Sequence, residues 1–262
     1  MGSRRRQARR RRTGLPRRPS GEVRPPGRAP VVQQAVQEAA AARVRDGVAE
    51  AMARLGPEPT VGDLCVVVGE AYDVFDAHMA TASFTPPMAC KRGCIHCCYN
   101  QISLSEPEAL FLGLYAHERF GPERLAQVDA DTDEVLGRIR GLTRRQVGDI
   151  RHLVPCPLLE DVACSVHPAR PLACRGWNAV DAEQCRRSVA EREPLAPIEN
   201  HPFPRLLADA IQTGLLQGSR NLGLEAGYLV ITRAWKLMQT HGLAHCAGEW
   251  LAGRAFFGLW SE

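Results

Sequence analysis

The stretch Ser105-Glu106-Pro107-Glu108-Ala109-Leu110-Phe111-Leu112-Gly113-Leu114-Tyr115 sets the reading of the rest of the chain. Ser105 is a good helix cap. Glu108 stands three positions later, where its carboxylate can return to the cap's own N–H, and Pro107 is tolerated in a first turn. The helix predicted there continues through Leu110, Leu112, Leu114 and Tyr115 and ends at Phe120-Gly121-Pro122. Upstream, Thr60 caps a second predicted helix carrying Leu64, Val68, Tyr72, Phe75 and Met79, which Pro86-Pro87 stops. Further upstream, residues 31–55 place Val32, Val36, Ala40, Val44, Val48, Met52 and Leu55 on one face, with Gly56-Pro57 as the end. Downstream, residues 123–152 read as a polar helix with Leu125, Val128, Val135, Leu136, Ile139 and Leu142 on one side. Helical spacing returns from about residue 202 to 256, through Leu206, Leu207, Ile211 and Leu215, then Leu224, Leu229, Ile231, Trp235 and Leu237. No strand-like alternation of convincing length occurs, and no internal repeat. The expected fold class is all-α, an irregular helical body with two cysteine-bearing loops.

Residues 153–188 break the pattern: they are rich in Pro and Cys and follow neither the helical nor the strand period. The 262 residues suit one large domain or two small ones, with 45% hydrophobic and 24% charged residues, as in an ordinary globular chain. No run of about 18 apolar residues occurs, so a membrane-spanning helix is not expected.

Charge is distributed unevenly. Eleven arginines against Glu22 alone give residues 1–30 a net charge of +10, and the whole-chain value of +4 leaves −6 for the remainder. That first segment also holds Pro16, Pro19, Pro25, Pro26 and Pro30 and almost nothing apolar, so it reads as a disordered Arg/Pro-rich tail. Residues 31–262 then form a single helical domain. Paired arginines in the tail suggest an export leader, but the apolar stretch of roughly 7–15 residues that such a leader requires does not follow them. A cytoplasmic location is therefore expected, where thiols stay reduced and disulfides are rare. Contact with nucleic acid is expected only as weak, nonspecific phosphate neutralisation by the tail.

Ten cysteines are present, and eight fall in two short segments. The first is Cys90-Lys91-Arg92-Gly93-Cys94-Ile95-His96-Cys97-Cys98. The second runs from Cys156-Pro157-Leu158-Leu159 through Cys164 and Arg170-Pro171-Leu172-Ala173-Cys174-Arg175 to Cys185. Cysteines two or three positions apart can converge on one ion at Zn–S distances of about 2.3 Å. Gly93 supplies a turn with positive φ, and Pro157 and Pro171 lower the entropy lost when ligands are held in place. Adjacent side chains diverge, so Cys97 and Cys98 are expected to serve different metal atoms, or one of them to reach the second segment. Lys91, Arg92, Arg170, Arg175, Arg186 and Arg187 flank the thiols and can offset the charge of a thiolate centre. The metal ligands expected are Cys90, Cys94, Cys97, Cys98, Cys156, Cys164, Cys174 and Cys185, holding an iron–sulfur cluster or Zn²⁺. Incidental cysteines and a disulfide framework are the competing explanations.

At these residues the chain resembles the cysteine-cluster proteins of the YkgJ type, described as zinc- or iron-chelating domains. The first segment, with the acidic helix start at Ser105 to Glu108, matches one motif of that family. Cys156-Pro157-Leu158-Leu159, Cys164, Arg170-Pro171, Cys174-Arg175 and Cys185 match the other, with His167 where a tyrosine is expected. The resemblance covers about residues 88–190 and implies metal binding, without implying a reaction.

Whether the chain is an enzyme stays open at this point. Electron transfer, redox sensing or cluster handling fits an iron–sulfur centre. By analogy with flagellin lysine N-methylases, a protein-modifying activity could accompany the cluster, and a zinc-stabilised interaction module with a protein partner is the third reading. His96 and His167 are further ligand candidates. His241 and His245 have the spacing of a zinc-protease helix, but Gly242 stands where the general-base glutamate is needed. Cys65 and Cys246 sit among apolar helical residues and are expected to pack in the core. Trp177 is expected either to shield the centre or simply to pack.

Overall fold

The computed structural model describes residues 31–56, 58–193 and 196–258. The tail expectation concerns residues 1–30, which lie outside the described residues.

Local capping chemistry fixes where several helices begin. Following α1 (Val31–Ala53), α2 (Val61–Thr81) starts at Thr60, whose Oγ1 accepts from the Asp63 N–H while the Asp63 carboxylate accepts from the Thr60 N–H. The chain then runs without regular structure to a 3-10 turn (His96–Tyr99), strand β1 (Ser103–Ser105) and α3 (Glu106–Arg119). Ser105 is both the last residue of β1 and the cap of α3, and the reciprocal box with Glu108 is formed.

The polar helix expected over residues 123–152 is shorter than its spacing suggests. It is α4 (Pro122–Ile139), ended near Gly141 at φ +73°, followed by the short α5 (Arg144–Asp149) and a 3-10 turn (Arg151–Leu153). Left-handed backbone at Gly141 cannot continue a helix, which is why the apolar period outlasts the element.

The second cysteine segment is more ordered than a loop. It holds the hairpin β2 (Leu159–Glu160) and β3 (Ala163–Cys164), a 3-10 turn (His167–Ala169), α6 (Leu172–Gly176) and α7 (Ala182–Ala190). Cys164 therefore lies in a strand, Cys174 in α6 and Cys185 in α7.

The C-terminal part is α8 (Pro202–Asn221), β4 (Tyr228–Val230), α9 (Ile231–His241) and α10 (Leu243–Leu251). Leu229, expected on a helix face, instead pairs with Leu104 in the antiparallel β1–β4 ribbon. Because β1 runs straight into α3 and β4 straight into α9, and the pairing is antiparallel, the two helices leave this short ribbon from its opposite ends.

The fold is thus mostly helical, around one core that includes Phe75, Leu110, Leu207, Ile211, Trp235 and Trp250. α1 packs along α8, α6 packs against α8, and α4 packs against α9. Leu158, Val166 and Leu172 belong to the same core, and Cys156 and Cys164 pack against it. The second cysteine segment is therefore fastened to the helices by its own apolar residues. No helix among the described residues is long and apolar enough to cross a membrane.

Candidate metal centre

Two backbone ties bring the cysteine segments together. At the near end of the first segment, the Ala89 N–H donates to the Ala179 carbonyl at 2.8 Å, and the Cys90 sulfur accepts from the Ala179 N–H. At its far end, the Cys156 N–H donates to the Cys98 carbonyl at 2.7 Å. Between them Gly93 takes φ +88°, as its place in the turn requires, and the 3-10 turn carrying Cys97 and Cys98 packs against α7. Cys97 consequently interacts electrostatically with Cys90, Cys156, Cys164, Cys174 and Cys185. Cys185 also interacts electrostatically with Cys90 and Cys94. The structure thus brings the two cysteine segments against each other, with thiols of one within electrostatic range of thiols of the other. Cys65 on α2 and Cys246 on α10 stand apart, and the Cys246 thiol is fully buried and donates to the Leu237 carbonyl at 3.6 Å.

The second segment is held in place by two buried polar side chains. Glu108 accepts from the Ser105 N–H and hydroxyl, from the Leu172 N–H at 2.8 Å, from the Gln212 amide at 2.6 Å and from the Tyr72 hydroxyl at 3.4 Å. One carboxylate thereby joins the starts of α3 and α6 to α2 and α8. Arg175 forks onto both Asp76 oxygens at 2.7 Å, donates to the Pro168 and Arg170 carbonyls, and lies 4.3 Å from the Tyr72 ring centroid. Such multidentate geometry is available to a guanidinium and not to an ammonium.

Burial dominates the electrostatics of the thiols. It pushes Cys185 up to about 11 and Cys156 up to about 12, and it raises Cys90, Cys164 and Cys174 as well. Opposing this, the Leu158 N–H donates to Cys156 and the Val166 N–H to Cys164, and such amide bonds favour the thiolate. The Cys98 thiol donates to the Cys97 sulfur, which lowers Cys97 and raises Cys98.

Arg170 interacts with Cys90, Cys97, Cys164 and Cys174, Arg151 with Cys185, and Arg124 with Cys156. Each of these arginines has a buried Nε without a hydrogen-bond partner among the described residues. Arg170 flanks the motif in the sequence. Arg124, on α4, and Arg151, in the 3-10 turn before Cys156, carry no local signal, because each reaches the thiols only through the tertiary packing.

All ten cysteines are free thiols. Among the described residues, no three His, Cys, Asp or Glu side chains stand ready-made as the ligand set of a metal ion. The donor chemistry nevertheless suits a thiophilic metal: soft sulfur, backbone N–H groups on sulfur, and cationic side chains close by. Closing the set on an ion requires deprotonation and rotation of the thiols.

The other candidates fall away from these thiols or into packing roles. The charged neighbours of His96 are Arg186 and Glu183, and burial is the main reason its pKa is lowered. His167 is exposed; burial lowers its pKa first, then Arg170 and Arg175. His241 ends α9 and His245 lies in α10, because Gly242 at φ +83° breaks the helix between them, and both rings pack against Phe256. Trp177 is half-buried, with the Arg205 guanidinium 5.7 Å from its ring. Cavities of about 420 Å³ between α1 and α2 and about 520 Å³ beside Arg140 and Arg233 are lined by none of the eight cysteines.

Comparison with protein-family models, with curated proteins and with solved structures gives no match for this chain. What the site does has to be read from its own chemistry.

Proposed function

We propose that this protein binds a thiophilic metal, as an iron–sulfur cluster or as Zn²⁺, through the eight cysteines of its two segments. The observation that carries the reading is the meeting of the two cysteine segments, tied by the Cys156 N–H to the Cys98 carbonyl and by the Ala89 N–H to the Ala179 carbonyl. Isolated cysteines pack as small hydrophobes and have no reason to cluster in two segments that meet. The order of the cysteines and their resemblance to YkgJ-type domains support the same reading, and so do the free state of the thiols and the cytoplasmic location expected for the chain.

Each part of the chain has a task in this proposal. The turn at Gly93 spaces Cys90 and Cys94, the hairpin presents Cys164, and α6 presents Cys174 from a base fixed by Glu108 and Arg175. Arg124, Arg151 and Arg170 offset the negative charge that thiolates acquire when they ligate. A bound iron–sulfur centre would supply one-electron redox chemistry, and zinc a structural cross-link. Electron transfer, redox sensing or cluster handling is the class of role proposed, within a cytoplasmic protein.

Replacing single cysteines tests the reading. Metal content per chain should fall in Cys174→Ser and stay unchanged in Cys65→Ser, when both are purified alongside the wild type. Equal loss in the two variants, or none in either, contradicts it.

A further inference from the structure

Residues 222–227, the loop that joins α8 to β4, touch two carboxyl groups with opposite surroundings. Glu106, in the first turn of α3, has its Oε1 only 3.1 Å from where a Cβ on Gly227 would stand. The loop's own Glu225 holds the end of the chain. Its carboxylate accepts from the Phe256 N–H at 2.9 Å, from the Phe257 N–H at 2.8 Å and from the Gly258 N–H. The Trp250 indole donates to the Glu225 carbonyl at 2.9 Å. At Gly253, where φ is +69°, a Cβ would stand 3.1 Å from the Gly223 carbonyl oxygen. Loop 222–227 and the C-terminal segment 252–258 are thus fastened to each other along their length, and the loop in turn lies against Glu106.

Backbone N–H donors suit Glu225 to a negative charge. Glu106 is built the other way. It is buried, and its Oε2 has no hydrogen-bond partner among the described residues. A buried anionic oxygen without a donor is costly, and a second charge beside Glu225 adds repulsion. Arg220, at the end of α8, is the cation within range of Glu106, but it is exposed and donates to the Ala226 carbonyl at 3.5 Å. Tyr228 at the start of β4 is the other titratable neighbour. Arg254, in the segment itself, is paired with Glu249.

We propose that Glu106 and Glu225 form a proton-operated latch: while Glu106 keeps its proton, loop 222–227 and segment 252–258 stay closed on the core, and ionisation of Glu106 releases the two together. Residues 224–227 and 254–256 have no regular secondary structure, and such stretches open at lower cost than packed helices. Opening uncovers Trp250, Phe256 and Phe257, all buried in the closed form. The latch is independent of the cysteine segments and stands whether or not they hold metal.

The sign of the pH dependence follows from burial, which pushes Glu106 from 4.5 up to about 7 in the closed form. A released, solvated carboxyl returns to its ordinary value. Closure is therefore firmest below about pH 4.5, weakens as the pH rises to about 7, and changes little above that.

Amide exchange of the full chain, measured between pH 5 and 8 and corrected for the chemical rate, reads the opening directly. In the wild type, opening of residues 222–227 and 252–258 should rise in step, by roughly 50-fold over this range and mostly below pH 7. Amides of the short, exposed α5 are the internal control and should show no such rise. Glu106→Gln should abolish the rise and keep both stretches closed at pH 8. If that variant does not fold, the wild-type profile decides. A flat wild-type profile, a rise confined to one of the two stretches, or a rise that survives in Glu106→Gln overturns the latch.

Discussion

Two carboxylates, Glu106 and Glu108, are buried in the first turn of α3. Glu108 is satisfied by five donors and ties four helices together. Its capping role is legible from Ser105 three positions away, whereas Leu172 and Gln212 lie 64 and 104 positions along the chain and no local spacing points to them. Glu106 is 2% exposed, and its Oε2 has no hydrogen-bond partner among the described residues. Burial raises its pKa from 4.5 to about 7, against N–H donation from Gly227 and from its own backbone; the charged and titratable groups around it are Glu225, Arg220 and Tyr228. The folded chain therefore keeps this proton where the unfolded chain has lost it. Stability contributed by the neutral form is whole below about pH 4.5 and falls as the pH rises to about 7. Glu106→Gln should remove this part of the slope, leaving the variant about 3 kcal/mol more stable than the wild type at pH 8 and nearly equal at pH 4. Denaturant melts at the two pH values check this, and an unchanged pH dependence in the variant contradicts it.

At the scale of elements, α1 and α8 show what periodicity reveals and what it leaves out. The apolar spacing of α1 is plain in the sequence, and Val48 and Met52 are buried as it implies, yet Val36 on the same face is 61% exposed. The contact with α8 is set by glycines. A Cβ on Gly214 would meet the Arg45 carbonyl at 2.5 Å, and one on Gly218 would collide with the Met52 side chain. Close approach of two helices at small residues leaves no mark in a hydrophobic pattern. Gly218→Ala should destabilise by about 1–3 kcal/mol through overpacking. Gly137→Ala in α4, where nothing lies within 4 Å, should instead raise stability by up to about 1 kcal/mol. Thermal melts of the pair decide this, and equal shifts in both would contradict the packing account. The misreading of residues 228–230 has a similar cause. Tyr228–Val230 is short, apolar and compatible with either state, and only its long-range partner, β1, makes it a strand.

At the scale of the molecule, the helical class and the two cysteine segments were both readable, because capping boxes, prolines and clustered thiols are local signals. The order inside the second segment was not, since the hairpin and α6 depend on Leu158, Val166 and Leu172 joining a core built by distant helices. The meeting of the two segments through the Cys156–Cys98 bond is likewise a product of the whole fold. The central claim is that this meeting creates a metal centre. Its most direct test is elemental analysis, with an absorption spectrum, of the full chain purified without oxygen and without added metal. The account predicts iron with visible charge-transfer bands, or zinc without them, in at least stoichiometric amount. A folded, fully reduced chain containing neither iron nor zinc would contradict it.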